Sequence, residues 1–312
     1  MKKRAFTMVE LILVIVIFGI IGAIGADIIA TMYKNYIQAR TINYLQSQSD
    51  ITLQQIAKRL QYRIKDTAIA YQSGAAVDTN NPLQLSDSRV GDTYDVIEWI
   101  GYSNEALLNA GGNPGWSGFV DLDSGDTSST GQSLSTPGSN LTFAKDIIST
   151  LTNGDIDLTT NKEAALIFRD APALGLNIVE AYNWEKGGGR ADPNYIIPVT
   201  NDGDNIFDIT LVGIGSNITE AIYEQYYLAH TAYAIVTDGI DKDFKLNLHY
   251  NFQPWAGERY KTSGNVSLLA DNVNLFRVRQ TGSTIRLKLC LHDGNKSGAG
   301  DFIVTCKEEV VL

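Results

Sequence analysis

The sequence predicts an α+β protein, in which a long N-terminal helix with a transmembrane first half packs on a head built from an antiparallel β-sheet. Two patterns lead to this prediction. Residues 6–81 contain no proline and begin with a strongly apolar stretch, as expected of one continuous helix. From residue 72 onward, turns rich in Gly and Asn alternate with short runs of β-type residues, as expected of a sheet.

The first half of the helix is long and apolar enough to cross a membrane. Residues 11–26 carry no charge, and residues 6–30 are mostly apolar. At about 1.5 Å of rise per residue, a helix of that length spans a bilayer core of about 30 Å. Three positive charges precede it, at Lys2, Lys3 and Arg4, and predict that the N-terminus stays in the cytoplasm while the head lies outside.

The second half, residues 31–71, continues the helix as an amphipathic segment. Its apolar residues recur on one face, while its lysines and arginines lie largely elsewhere. We therefore expect one helix from Phe6 to about Tyr71, with the amphipathic half packed on the head. The apolar positions are Leu45, Leu53, Ile56, Leu60 and Ile64.

The head, residues 72–312, contains several stretches with the alternation of apolar and polar residues that strands show. Residues 280–283 are predicted to form a hairpin turn between two of these strands. Residues 107–138 are rich in Gly, Ser and Asp and are predicted to be a long surface insertion. The predicted strands are 95–101, 164–169, 206–213, 226–237, 244–250, 276–279, 284–291 and 302–311.

The charge of the chain argues against direct binding of nucleic acid. The formal net charge is −10, and removal of residues 1–5 would leave 22 positive charges against 35 negative ones. An acidic surface repels phosphate backbones, and no run of Lys and Arg interleaved with aromatic residues offsets this locally. We therefore expect no nucleic-acid partner for this chain.

The two cysteines, Cys290 and Cys306, lie near the C-terminus on neighbouring predicted strands. In a head outside the cytosol, a disulfide between them would contribute roughly 3 kcal/mol to stability on the chain-entropy estimate. Two free thiols are the alternative. The sequence favours the disulfide because the predicted topology places the head in an oxidising compartment.

Glu10 is the most informative residue of the apolar stretch. A carboxylate is expensive to place inside a membrane helix, so it needs a partner. A cleaved secretory signal or a plain signal anchor has no use for such a charge, although residues 23–25, Ala-Ile-Gly, would serve as a passable signal-peptidase site. A prepilin leader is the third candidate.

Residues 2–5, Lys-Lys-Arg-Ala, followed by residues 6–11, Phe-Thr-Met-Val-Glu-Leu, resemble the prepilin signal of type IV pilins and type II secretion pseudopilins. The resemblance covers about the first thirty residues. It implies that a prepilin peptidase cuts between Ala5 and Phe6 and methylates the new amine of Phe6. It also implies that Glu10 pairs with the terminal amine of a neighbouring subunit. The family usually has glycine before the cut, so Ala5 predicts slower cleavage.

This resemblance implies a pilin-like fold and a structural rather than enzymatic role. The expected partners are other pilins or pseudopilins, the prepilin peptidase and the inner-membrane assembly machinery. The expected location is the bacterial inner membrane and then a pilus or pseudopilus. A head of about 240 residues is too bulky for a major repeating subunit, which favours a minor one. A tip-displayed adhesin or substrate-recognition module is the alternative, followed by a membrane-tethered enzyme.

No cofactor is expected, although two oxygen-rich turns could hold calcium. Residues 121–126 form one, and the other, around Asp202, Asp204 and Asp208, is the better candidate. Neither fits the twelve-residue calcium loop, and ordinary turns stabilised by Asp side chains are the favoured alternative. The three histidines show no metal-binding spacing, and no motif for nucleophilic catalysis or phosphate binding occurs.

Overall fold

The computed structural model describes residues 7–72, 82–88, 90, 94–108, 112–128, 132–169, 181, 195–209, 222–240, 242–294 and 302–312. The helices named below are α1 Met8–Gln61, α2 Asn104–Leu107 and α3 Leu141–Leu151. The strands are β1 Ile69–Tyr71, β2 Leu83–Gln84, β3 Val96–Tyr102, β4 Ser133–Ser135, β5 Ala164–Phe168, β6 Ile197–Asn201, β7 Ile206–Ile209, β8 Tyr226–Ile240, β9 Asp243–Phe252, β10 Asn265–Thr281, β11 Thr284–His292 and β12 Val304–Val311.

The strands form one antiparallel sheet, so the predicted α+β architecture of a long helix followed by a β-sheet head is confirmed. Its main order is β12-β11-β10-β9-β8-β5-β6-β7-β4, while β3 pairs with both β8 and β1, and β1 also pairs with β2. The predicted hairpin joins β10 to β11, with Thr281 opposite Thr284. Each predicted strand overlaps an observed one, but residues 210–213 of the predicted 206–213 strand lie outside the described residues.

The second half of α1 packs on one face of the sheet. Leu53, Ile56 and Leu60 are buried there with Leu287 and Leu289 of β11, in one apolar cluster. A second cluster contains buried residues of α3 and of the strands β4 to β8. Burial of such side chains contributes about 1.5 to 3 kcal/mol each relative to exposure, so the helix is firmly held to the head at this end.

The prediction that α1 continues to about Tyr71 is wrong, because the helix ends at Gln61. Beyond it, the backbone of Tyr62 and Ile64 bonds to β3: the Ile64 N–H donates to the Ile100 carbonyl, and the Tyr102 N–H donates to the Tyr62 carbonyl, both at 2.9 Å. The Arg63 guanidinium donates to the Ser283 carbonyl at 2.7 Å. The backbone N–H and carbonyl groups that a longer helix would have used therefore bond to the sheet instead.

The prediction that residues 107–138 form a surface insertion is also wrong. Trp116, Val120 and Leu134 are 4% exposed or less, and Leu134 belongs to β4, which pairs with β7. The backbone at Gly115 passes so close to the Ala106 carbonyl that an added Cβ would lie 1.9 Å from its oxygen. The segment is polar in composition, but three of its apolar residues, spaced apart in sequence, are buried in the head.

A buried carboxyl group lies within the sheet. Glu98 of β3 has no exposed surface; its Oε2 accepts a hydrogen bond from the Tyr71 hydroxyl at 2.7 Å, and its Oε1 has no hydrogen-bond partner among the described residues. Burial raises the pKa of Glu98 to about 8, against the opposing effects of the Tyr71 hydrogen bond and the Arg259 charge. The group is therefore protonated in the folded protein at neutral pH.

Glu98→Gln is expected to remove a pH dependence of stability. Between the unfolded pKa of 4.5 and the folded pKa of about 8, the folded state holds a proton that the unfolded state has released, so stability falls as pH rises. Between about pH 5.5 and pH 7, the free energy of unfolding of the wild type should fall by about 2 kcal/mol relative to that of the variant. Denaturant unfolding at both pH values measures this, with Glu309→Gln as an exposed control. Parallel pH profiles for wild type and Glu98→Gln would contradict it.

Candidate assembly site on the N-terminal helix

Glu10 lies in the first turn of α1 and is hydrogen-bonded to Thr7, the residue that caps the helix. The N–H and the hydroxyl of Thr7 each donate to Glu10 Oε2 at 3.0 Å, and the Glu10 N–H donates to Thr7 Oγ1 at 3.4 Å. This reciprocal arrangement is a capping box, and it places the negative charge at the positive end of the helix dipole. The carboxylate therefore has partners within its own chain.

Thr7 is the site residue that the sequence interpretation missed. Its signal was present, because Thr-x-x-Glu directly before an apolar run is the pattern of a capping box. Both hydrogen bonds from Thr7 reach the same oxygen, Oε2, and Glu10 Oε1 accepts none from the described residues. That second oxygen has full capacity to accept a further donor.

The first half of α1 makes an unpartnered apolar surface. From Thr7 to Tyr36 every residue except Gly25 is exposed, including Phe18 at 71%. Within the described chain, α1 is the one helix whose length and composition would let it cross a membrane. An apolar surface of this extent needs lipid or another protein around it.

Three glycines lie on this exposed half, at Gly19, Gly22 and Gly25. A Cβ added to any of them would meet nothing within 4 Å in the chain. A helical glycine costs about 1 kcal/mol relative to alanine, and no contact within the described chain offsets that cost. Small residues on one helical face allow another helix to approach closely. The glycines therefore suit contacts that α1 makes outside its own chain.

A polar stem separates the apolar half of α1 from the head. Tyr33 and Tyr36, 66% and 61% exposed, flank Lys34, and the first buried residue of α1 is Leu45. Tyrosines beside a lysine are typical of the boundary between lipid and water. From Tyr33 to Leu45 the helix rises about 18 Å. The head is thus held beyond the end of the apolar surface.

The structure describes some of the predicted site residues and not others. Ala5 and Phe6 lie outside the described residues, so the predicted cleavage site stays a prediction. Cys290 and Cys306 form a disulfide between register partners on β11 and β12, with Cα atoms 4.0 Å apart. They lie in the head, whereas Glu10 lies at the far end of α1.

Of the calcium candidates, Asp202 and Asp204 lie in the β6–β7 turn and Asp208 lies on β7. The Asp202 N–H donates to the Ile206 carbonyl at 2.9 Å, and Asp204 Oδ1 accepts from the Thr142 N–H at 3.3 Å. Burial raises the pKa of Asp208, and the nearby charge of Asp202 raises it further. Among the described residues, no three Asp, Glu, His or Cys side chains are grouped to hold a metal ion. The structure does not test calcium binding, so an ordinary turn stabilised by Asp side chains stays the prediction and calcium stays the alternative.

Comparison with known proteins bears on the N-terminus alone. The family model for the prokaryotic N-terminal methylation motif matches residues 1–26, and this motif is the prepilin-type signal of type IV pilins and pseudopilins. No curated protein and no solved structure matches the chain. The motif and the single apolar helix fit membrane anchoring and pilin partners, and the motif suggests a structural subunit rather than an enzyme.

Proposed function

We propose that the chain is a minor pilin or minor pseudopilin, assembled into a type IV pilus or a type II secretion pseudopilus through α1. The observation that carries the proposal is Glu10, a carboxylate at the start of an exposed apolar helix and within the matched methylation motif. Such a charge has little use in a plain anchor, whereas a neighbouring terminal amine in a filament gives it a partner.

Processing would create the amine without disturbing the carboxylate. Cleavage between Ala5 and Phe6 removes the three positive charges of residues 2–4 and exposes a new terminal amine at Phe6, which the peptidase methylates. The capping box consists of Thr7 and Glu10, both after the cut, so it is retained in the mature chain. The mature helix would begin with its carboxylate already oriented.

Assembly would use the free oxygen of Glu10. Oε2 stays with Thr7, while Oε1 accepts a hydrogen bond from the methylated amine of an adjacent subunit. The pair neutralises two charges that would otherwise lie separately in an apolar filament core. Gly19, Gly22 and Gly25 let neighbouring helices approach each other closely. Inner-membrane assembly machinery would draw the processed subunit from the bilayer into the filament.

The size of the head supports the minor role. About 250 residues follow α1, and the described ones among them form a broad sheet with a second apolar cluster besides the one that α1 joins. A subunit of this bulk is difficult to repeat at every position around a thin filament. The disulfide fits a head that lies outside the cytosol.

The alternative function, a tip-displayed adhesin, was based on the prediction that residues 107–138 form an exposed insertion. Because Trp116, Val120 and Leu134 of that segment are buried in the head, this feature no longer favours a separate recognition module. The filament subunit is therefore the function that the observations support best.

Ala5→Leu is expected to block processing and keep the chain out of filaments, because the peptidase accepts a small residue before the cut. Immunoblots of inner-membrane and sheared-filament fractions would show the uncut precursor in the membrane fraction only. Ala5→Gly is the matched variant, and it should be cut faster than the wild type in a pulse-chase. Entry of uncut Ala5→Leu into filaments would contradict the proposed function.

A further inference from the structure

A cavity of about 570 Å³ opens beside the second half of β10, where that strand extends beyond β9. β9 pairs with β10 only as far as Val273, opposite Phe244, whereas β11 pairs with β10 as far as Thr281. Beyond Val273, β10 therefore has a strand partner on one side and none among the described residues on the other. All residues from Asn274 to Arg279 line the cavity, so this open edge of β10 forms one of its walls.

The open edge presents backbone groups to the cavity. In a hairpin with a two-residue turn, the residues that flank the turn, here Thr281 and Thr284, exchange hydrogen bonds with each other. Because the direction of the backbone groups alternates along a strand, the N–H and carbonyl groups of Phe276 and Val278 point away from β11 and toward the cavity. An edge of this kind is a template for a further strand.

The charge of the cavity is opposite to that of the whole protein. Its lining contains three cations, Lys242, Arg277 and Arg279, and one acid, Asp95. Within the described part of the chain, Lys242 and Arg279 form no hydrogen bond or ion pair. The formal net charge of the chain is −10, so this positive cavity is a local exception. An occupant would have to be acidic to match it.

Cross-strand pairing places further positive charge beside the two arginines. Arg277 lies opposite Lys288, and Arg279 lies opposite Arg286. Like charges directly opposite each other destabilise a sheet. The sheet therefore carries two unfavourable pairs next to its open edge, and a negative charge supplied nearby would offset their cost.

Strand β12 supplies such a charge to one pair and not to the other. Glu308 lies opposite Lys288, and its Oε1 accepts a hydrogen bond from the lysine Nζ at 3.0 Å. This lysine and, to a smaller extent, Arg286 lower the pKa of Glu308. The β12 residue opposite Arg286 is Val310, which is 52% exposed. The row of Arg279 and Arg286 therefore has no acid of its own, and a carboxylate from outside the chain would complete it.

The period of a strand indicates the sequence pattern of the occupant. In an antiparallel strand added to β10, the residues opposite Arg277 and Arg279 lie on the same face as these arginines and two positions apart. Carboxylates at alternate positions would thus each meet a guanidinium, whose planar fork fits a carboxylate. The intervening residues would lie beside Phe276 and Val278, which favours apolar side chains there.

The open edge also distinguishes between classes of acidic partner. A nucleic acid offers phosphates but no row of N–H and carbonyl groups that can pair with a strand, whereas an extended peptide offers both charge and pairing. We propose that this cavity binds an extended segment of a partner protein, in which acidic and apolar residues alternate, and that the segment pairs with β10 as an additional antiparallel strand.

Isothermal titration of the full chain in detergent micelles tests this with the peptide acetyl-Thr-Glu-Val-Glu-Val-Glu-Thr-amide. We expect the peptide to bind the wild type, and to bind Arg279→Gln about tenfold more weakly or worse, because a charged hydrogen-bond partner is lost. Arg40→Gln, a change of the same kind on the exposed stem of α1, should leave binding unchanged. The analogue with proline in place of both valines keeps the charges but lacks the N–H groups that would bond to β10, so it should also bind about tenfold more weakly or worse.

Absence of peptide binding at millimolar concentration, or equal binding by wild type and Arg279→Gln, would overturn the proposal. Equal binding of the valine peptide and the proline analogue would overturn the addition of a strand. Arg279-dependent binding of an oligothymidylate in place of the peptide would overturn the class of partner. Thermal unfolding checks that Arg279→Gln is folded, and Arg277→Gln serves as the second variant if it is not. None of these measurements involves filament assembly, so the site and the proposed function are tested separately.

Discussion

Glu10→Gln is expected to reduce incorporation of the chain into filaments about tenfold or more, while membrane insertion stays intact. Glutamine keeps an oxygen that accepts the Thr7 hydrogen bonds, since Gln serves as well as Glu in a capping box. It removes only the charge that would pair with a neighbour's amine. The amount of chain in sheared filaments, relative to the amount in the membrane, measures the effect.

Thr7→Val provides the matched comparison for the cap. It removes the hydroxyl that bonds to Glu10 but keeps the carboxylate and a side chain of similar shape. If charge pairing drives assembly, Thr7→Val should enter filaments far better than Glu10→Gln. Normal incorporation of Glu10→Gln, or equal defects in the two variants, would contradict the pairing and leave Glu10 as a helix cap only.

Replacement of Cys290 and Cys306 together by alanine is expected to destabilise the head by about 3 kcal/mol. The disulfide joins β11 to β12, the strand at the end of the sheet, and β12 lies against α1. Its loss frees a loop of chain in the unfolded state and loosens the strand that helps to hold the helix. Denaturant unfolding of wild type and variant, each with and without a reductant, measures the difference.

The control for this experiment is Lys288→Ala. Lys288 forms an exposed ion pair with Glu308, 3.0 Å apart, across the same two strands. Exposed pairs of this kind contribute little, so its effect should be far smaller. Unfolding curves that coincide for wild type and the double alanine variant, or a wild type insensitive to reductant, would contradict the stabilising role of the disulfide.

Local periodicity explains why much of the fold was predictable. Leu45, Leu53, Ile56 and Leu60 recur at helical spacing, and all four are buried against the sheet. Strict alternation likewise predicted β11, whose apolar side chains face α1. In both cases the signal lies within a few residues of chain, so it does not depend on distant contacts.

The wrongly predicted end of α1 shows where a local sequence pattern does not determine the structure. Ile64 and Ile69 continue the apolar pattern beyond Gln61, yet their backbones pair with β3, about thirty residues further along the chain. Helix and sheet compete there for the same N–H and carbonyl groups, and a long-range contact decides the outcome. The prediction for residues 107–138 failed for a related reason. Trp116 is buried among strands that are distant from it in sequence, so its neighbours along the chain do not indicate its burial.

The candidate site was only half predictable. Glu10 stood out because a charge in an apolar helix needs an explanation, and that reasoning requires no knowledge of the fold. The role of Thr7 required attention to a second pattern, the capping box, that overlaps the first.

The mature N-terminus tests the central claim most directly. Intact-mass and fragment mass spectrometry of the chain purified from filament-producing cells should show a protein that begins at N-methylated Phe6. A chain that still begins at Met1 would contradict the account, because Phe6 would then carry no terminal amine for a neighbouring Glu10. A chain that begins near Gly25 would contradict it as well, because Glu10 itself would be missing.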